Sequence, residues 1–148
     1  MTVKITIDEC PEALQIEVNI RCARMDEEVV RMLALLRAFD QKLTGIREGQ
    51  TFILEARDIL YADSVDKRTF LYTQDGVFET PLRLYELEER LGPSDFIRIS
   101  KAVVVNFGQI RSLRPELGGR MLATLTNGEI VCVSRQYVPA IRTKLGLR

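Results

Sequence analysis

The 148-residue sequence contains no histidine. That absence removes the Ser-His and Cys-His pairs by which most enzymic nucleophiles are activated. It also removes the histidine-bearing metal motifs. Only three cysteines are present, Cys10, Cys22 and Cys132, widely spaced and without a CxxC pair. Their number and spacing argue against a zinc site and predict reduced, mostly buried thiols in a cytoplasmic protein. No apolar run approaches the roughly 20 residues that span a bilayer. The N-terminal MTVKITIDEC has no long apolar core of a secretory signal. Neither GxxxxGK[ST] nor GxGxxG occurs, so nothing cradles a nucleotide phosphate in the usual way. Carboxylates are numerous but fall on helix faces and turns, as in the Glu86/Arg90 pair at i, i+4. An enzyme is not expected, and no metal or cofactor is called for.

What is present is a large apolar fraction and an uneven charge. Hydrophobic residues make up 46% of the chain, enough for a core at this length. Lys+Arg and Asp+Glu balance at 21 each. Residues 1–92 hold 12 of the cations and 18 of the acids, whereas residues 93–148 hold 9 and 3. A polyanion responds to the local field and not to the total, so the zero sum does not exclude nucleic acid.

The pattern predicts a mainly β chain with short helices, of the α+β class. Val3, Ile5 and Ile7 alternate with polar residues, as do Leu14, Ile16, Val18 and Ile20, which predicts two strands broken at Cys10-Pro11-Glu12. Asp26-Glu27-Glu28 opens a helix carrying Val29, Leu33, Leu36 and Phe39. Residues 1–42 thus read as a ββα arm, and residues 43–148 as a β domain. In that domain KLTGIR and QTFILEA flank one turn, TFLYT and GVFET flank Asp75-Gly76, and MLATLT and EIVCVS flank Asn127-Gly128. Thr80 and Pro81 are placed to open a short helix with Leu84, Leu87 and Leu91 on one side. Ser134 is placed to cap the last helix, whose Tyr137, Ile141 and Leu145 share a face. Pro139 requires a distorted first turn there, with regular helix from about Val138. This order is not a βαβ alternation, which argues against a dinucleotide-binding fold.

The candidate functional groups are cationic and sit between strands. Lys67 and Arg68 fall at a hairpin tip, Ser100 and Lys101 after the FIRIS strand, and Ser134, Arg135 and Gln136 before the last helix. Arg, Lys, Gln and Ser supply the donors that reach base edges and phosphates. Arg111 and Arg114 are phosphate contacts or ordinary surface. Val103, Val104 and Val105 beside these cations are expected to anchor the loop to the core, and Asn106 to satisfy backbone groups at the turn.

From about Leu43 to Leu147 the chain resembles the LytTR DNA-binding domain of bacterial transcription regulators. The resemblance rests on DILYADSVDKRTFLYTQDG, the Leu84/Leu87/Leu91 helix, FIRISKAVVVNFGQIRSL and LTNGEIVCVSRQYVPAIRTKL. It implies elongated antiparallel β-sheets and binding of promoter DNA by loops entering successive major grooves. It assigns those loops to Lys67 and Arg68, to Ser100 and Lys101, and to Ser134, Arg135 and Gln136. Arg68 and Lys101 depart from the histidine or asparagine frequent in the family, whereas Arg135 matches it. The resemblance also implies double-stranded DNA with direct repeats, a homodimer on that DNA, and a small membrane-protein regulator as partners. The 42-residue arm is too short for a receiver domain. Its helix packs on the β domain, forms a dimer or binds the regulator. A protein-interaction module or anti-activator with the same fold, and without DNA binding, is the alternative reading.

Overall fold

The computed structural model describes residues 2–146. After helix α1 (Glu27–Asp40) come strands β1 (Lys42–Arg47), β2 (Gln50–Glu55), β3 (Ile59–Val65), β4 (Arg68–Thr73) and β5 (Gly76–Thr80). Helix α2 (Leu84–Leu91) is followed by β6 (Phe96–Ser100), β7 (Val103–Asn106), β8 (Ile110–Pro115), β9 (Met121–Leu125), β10 (Ile130–Val133) and helix α3 (Val138–Lys144). Seven strands form one sheet in the order β2-β1-β5-β4-β3-β7-β6, and three form a second in the order β10-β9-β8. All paired strands are antiparallel. The mainly β architecture with short helices is as the sequence predicts.

The two faces of the large sheet carry separate cores. On one face Leu43, Ile59, Ala62, Leu71 and Val104 pack with Leu84, Leu87 and Leu91 of α2. On the other, Leu60, Tyr61, Ile99 and Val105 pack with Met121, Leu125 and Val133 of the small sheet and Ile141 of α3. Strand side chains point alternately to opposite faces. A strand sandwiched between two cores therefore needs an unbroken apolar run, which is what ILYA in β3 and VVV in β7 supply. Val104 and Val105 are both 0% exposed, one in each core.

Asn106 ends β7 in a buried position. Its Nδ2 donates to the Ile59 carbonyl at 2.9 Å, and its Oδ1 accepts from the Gly108 N–H at 3.0 Å. One amide thus closes the β7 turn and ties it to the start of β3. A second polar link joins the two sheets. The Tyr61 hydroxyl donates to Glu129, and the Tyr61 ring stacks on Tyr72 at 4.3 Å. Tyr72 in turn donates to Asp63 at 3.0 Å. Burial first, and then hydrogen bonding to Asp63, push the Tyr72 hydroxyl up to about 12, so it remains a donor at neutral pH.

Several expectations are corrected. The two arm strands do not form: among residues 2–25 no strand is present, and Ile5, Leu14 and Ile16 stand 79%, 101% and 91% exposed. Alternation supplies a strand's faces but not its hydrogen-bond partner, and a lone two-stranded ribbon is marginal in water. Helix α1 does form. Asp26 caps it, its Oδ1 accepting from the Val29 N–H at 3.0 Å. Of its predicted stripe Val29 is buried and Leu33 half-buried, while Leu36 and Phe39 remain exposed. The cysteines are exposed rather than buried, Cys10 and Cys22 in the uncovered arm and Cys132 on the outward side of β10. Helix α2 begins after Arg83 and not at Pro81. The Glu86 carboxylate accepts the Arg83 N–H at 3.0 Å, whereas the Thr80 hydroxyl closes a local turn with the Leu82 N–H at 3.4 Å. Before α3, Arg135–Tyr137 form a 3-10 turn without a side-chain cap from Ser134, and Pro139 falls in the first turn of the helix proper.

Replacing Asn106 by alanine leaves a buried carbonyl and a backbone N–H without partners. The expected loss of stability is about 2–4 kcal/mol, read as a lower urea midpoint. A midpoint equal to wild type would show that Asn106 is not what closes this turn.

Candidate nucleic-acid interface

The three cationic segments predicted from sequence are joined through the backbone. The Ser64 N–H donates to the Ala102 carbonyl at 2.9 Å, linking β3 near its tip to the turn between β6 and β7. The Ser134 N–H donates to the Ile99 carbonyl at 2.9 Å, linking the segment before α3 to the end of β6. The 67–68, 100–101 and 134–136 segments therefore meet at the ends of adjacent strands.

Lys67 occupies an unusual conformation. The β3–β4 hairpin turns on Asp66 and Lys67, with φ of 51° and 66°. Such a turn matches the twist of paired strands but favours Asn-Gly, since a side chain at positive φ is strained. Here an exposed lysine stands where glycine is preferred.

Arg68, the next residue, is already engaged. Its guanidinium makes a two-pronged contact to Glu79 on β5, Nε to Oε2 at 3.0 Å and Nη2 to Oε1 at 2.6 Å. That hydrogen bonding holds the Glu79 carboxyl below its usual range and raises Arg68. The sequence does not foretell this pairing, because Glu79 reaches Arg68 only through the β4–β5 register, in which Phe70 opposes Glu79.

The Ser100–Lys101 turn is held from below. Ser100 accepts the Ala102 N–H at 3.3 Å. Arg98 donates to the Lys101 carbonyl at 2.6 Å, and its Nη2 lies 2.7 Å from Glu88 on α2. Beside this bridge from helix to turn, Lys101 is exposed and makes no ion pair among the described residues. Arg98 and Glu88 thus support this turn, a pairing that the sequence pattern did not indicate.

In the third segment Ser134 is half-buried, and Arg135 and Gln136 are exposed. The aliphatic stem of Arg135 lies over Gly119. A Cβ on that glycine would sit 2.9 Å from Arg135 Cδ, and its φ is 78°. The Gly118-Gly119 turn thereby makes room for the arginine stem. Arg111 and Arg114 are exposed on β8, one of the two edge strands of the small sheet, and belong to none of the three joined segments.

Between the first two segments lies a shallow hollow of about 220 Å³. Lys67, Lys101, Arg98 and Arg83 line it together with Ser64, Thr69, Leu84 and Tyr85. Arg83 was not anticipated. It is 16 residues from Lys67 and comes near only because α2 starts beside the hairpin. Among the described residues no group of three or more acids and cysteines is placed to hold a metal ion, and no helix is long and apolar enough to cross a membrane.

Comparison with known proteins bears on this surface. Residues 49–146 match the family model of the LytTr DNA-binding domain. Over 132 residues the chain is 29% identical to an uncharacterized HTH-type transcriptional regulator of Staphylococcus aureus strain NCTC 8325 / PS 47, covering 88% of this chain and 89% of that protein. A counterpart in strain MRSA252 is 28% identical over the same length. A solved LytTr DNA-binding domain from Bacillus cereus superposes with a TM-score of 0.69 at 25% identity, covering 73% of this chain and 99% of that one.

The turn geometry yields a test. Lys67→Gly relieves a side chain from positive φ and is expected to stabilise the fold by about 1 kcal/mol, measured by urea denaturation, while removing a cation from the hollow. Unchanged or reduced stability would mean that Lys67 is not strained there.

Proposed function

Since the chain belongs to the LytTR family of DNA-binding domains, we propose that it is a transcriptional regulator that reads promoter DNA sequence-specifically through its three cationic segments. The supporting observation is the pair of backbone links that brings the 67–68, 100–101 and 134–136 turns to one end of the sheets. Discrimination between bases needs donors held in fixed positions. These turns are held by the strands, and the Lys101 turn also by Arg98.

The roles follow from the chemistry of each side chain. Arg135 is exposed, unpaired among the described residues, and able to address guanine O6 and N7 together. Gln136 and Ser134 flank it as lesser donors, and Ser100 contributes chiefly by shaping its turn. Lys101 and Lys67 are single-point cations suited to phosphates, which set affinity and register. Arg68 acts on DNA only by leaving or sharing Glu79, so its role is the most conditional of the set. The family's use of paired direct repeats makes two protomers per site the natural stoichiometry. The arm helix, with exposed Leu36 and Phe39, is the surface for a second protomer or a small membrane-protein regulator. Residues 1–42 are the regulatory part on this reading, and the function is carried out in the cytoplasm.

The deciding experiment is selection from randomised duplex DNA with the purified full chain. Enrichment of a short motif, repeated at about one or two helical turns, is the expected result. Recovery of no motif from a folded sample would favour an interaction module over a DNA reader. Within the selected site, Arg135→Ala is expected to cost about 1–3 kcal/mol and to relax one base position. An unaltered base preference would remove Arg135 from readout. Lys101→Ala is expected to weaken all duplexes alike and to lower the salt slope by about one; a slope equal to wild type would place Lys101 away from phosphate.

A further inference from the structure

The hollow between the β3–β4 tip and the start of α2 has a composition unlike the chain as a whole. The protein carries equal numbers of acidic and basic residues, yet four of the eight residues lining this hollow are cations and none is acidic. Arg98 is compensated, because Glu88 lies 2.7 Å from it. Lys67, Lys101 and Arg83 make no ion pair among the described residues. The nearby carboxylate of Glu86 is turned to the Arg83 backbone N–H and not to its guanidinium. Ser64, Thr69 and Tyr85 add hydroxyl donors to the same walls.

Three uncompensated like charges around one depression repel each other unless an anion joins them. A volume of about 220 Å³ is below that of ordinary small-molecule pockets, about 300–1,000 Å³, but suffices for one phosphoryl group. Two of the three cations belong to segments already assigned to DNA, which favours a backbone phosphate over a free one. Resting on that DNA-binding reading, we propose that this hollow seats a single phosphate of the DNA backbone, with Arg83 completing a three-cation clamp begun by Lys67 and Lys101. Arg83 comes to the hollow from the start of α2, whereas the two lysines come from turns between strands. Its guanidinium offers paired donors that match two phosphate oxygens, which the lysines do not.

The test is a salt titration of duplex binding by the full chain and by Arg83→Ala. Arg83 is exposed, and the backbone N–H that Glu86 caps is kept in the variant, so α2 is expected to start as before. Thermal unfolding followed by circular dichroism checks this. The expected result is a salt slope shallower by about one, with affinity lowered about fivefold at 150 mM salt, equally for selected and unrelated duplexes. A variant with the wild-type slope and affinity overturns the clamp while leaving DNA binding intact. Wild-type protein that binds no duplex at any salt overturns the DNA-binding reading and the clamp with it. Inorganic phosphate supplies the other arm, followed through the amide resonances of Lys67, Leu84 and Lys101. Weak, millimolar shifts that vanish in Arg83→Ala agree with a seat built for a backbone phosphate. Micromolar saturation by free phosphate, with an unchanged duplex slope in the variant, would give the hollow to a free anion instead.

Discussion

The structure depends on burying β3 and β7 on both faces at once. Tyr61 pairs with Val105, Ala62 with Val104 and Asp63 with Val103. Each pair sends one partner set to α2 and the next to the small sheet. A fully buried valine contributes about 1.5–3 kcal/mol relative to an exposed one. The two strands therefore join two cores that would otherwise be separate small clusters. The cost is that every backbone group between the cores must be paired within the protein. Asn106 meets part of that requirement, satisfying one carbonyl and one N–H where the ladder ends.

The cationic turns inherit their positions from this arrangement. Strand β3 runs from the Asn106 contact at Ile59 to the tip at Asp66–Lys67, and β7 runs back from the Lys101 turn to Asn106. A shift in the register of that pair would exchange the two faces and move both turns together. Such a shift is opposed by the apolar content of both cores. The strained lysine at the tip and the arginine-to-carbonyl clamp at Lys101 are tolerable because the strands beneath them are fixed.

Most of the domain was legible because its signals are local. The Asp75-Gly76 and Asn127-Gly128 turns, the alternation in KLTGIR and the leucine stripe of α2 each state their structure within about ten residues. Most of the failures come from dependence on distant partners, and one, the start of α2, from competition between neighbouring caps. The arm segments carry the right alternation but pair with no strand. Thr80-Pro81 has a good cap sequence, yet Arg83–Glu86 starts the helix. Arg68 looks like a free cation until the β4–β5 register presents Glu79. Arg83 looks like a surface residue until α2 docks beside the hairpin. The segments 67–68, 100–101 and 134–136 could be named from the family likeness, but their meeting at one end depends on two long-range backbone bonds.

The zero net charge is compatible with a polyanionic partner for a reason the structure makes specific. At physiological salt, charges beyond about 8 Å act weakly on each other through solvent. What an approaching phosphate meets is the nearest few side chains and not the sum of 21 cations and 21 acids. Three acids near the cationic turns are occupied locally, Glu79 by Arg68, Glu88 by Arg98 and Glu86 by a backbone N–H, while Asp66 stays exposed beside Lys67 at the hairpin tip. Internal pairing of this kind subtracts acids from the field and leaves Arg83 and Lys101, with Lys67 beside Asp66, free of ion pairs among the described residues. The family likeness and the local field therefore point the same way. Lys67 and Lys101 lie in turns between strands, Arg135 in a 3-10 turn before α3 and Arg83 at the start of α2, so none of these groups projects from the middle of an α-helix. A turn projects one or two side chains from a rigid edge, which suits a protein whose donors are few and whose sheets hold them at fixed spacing.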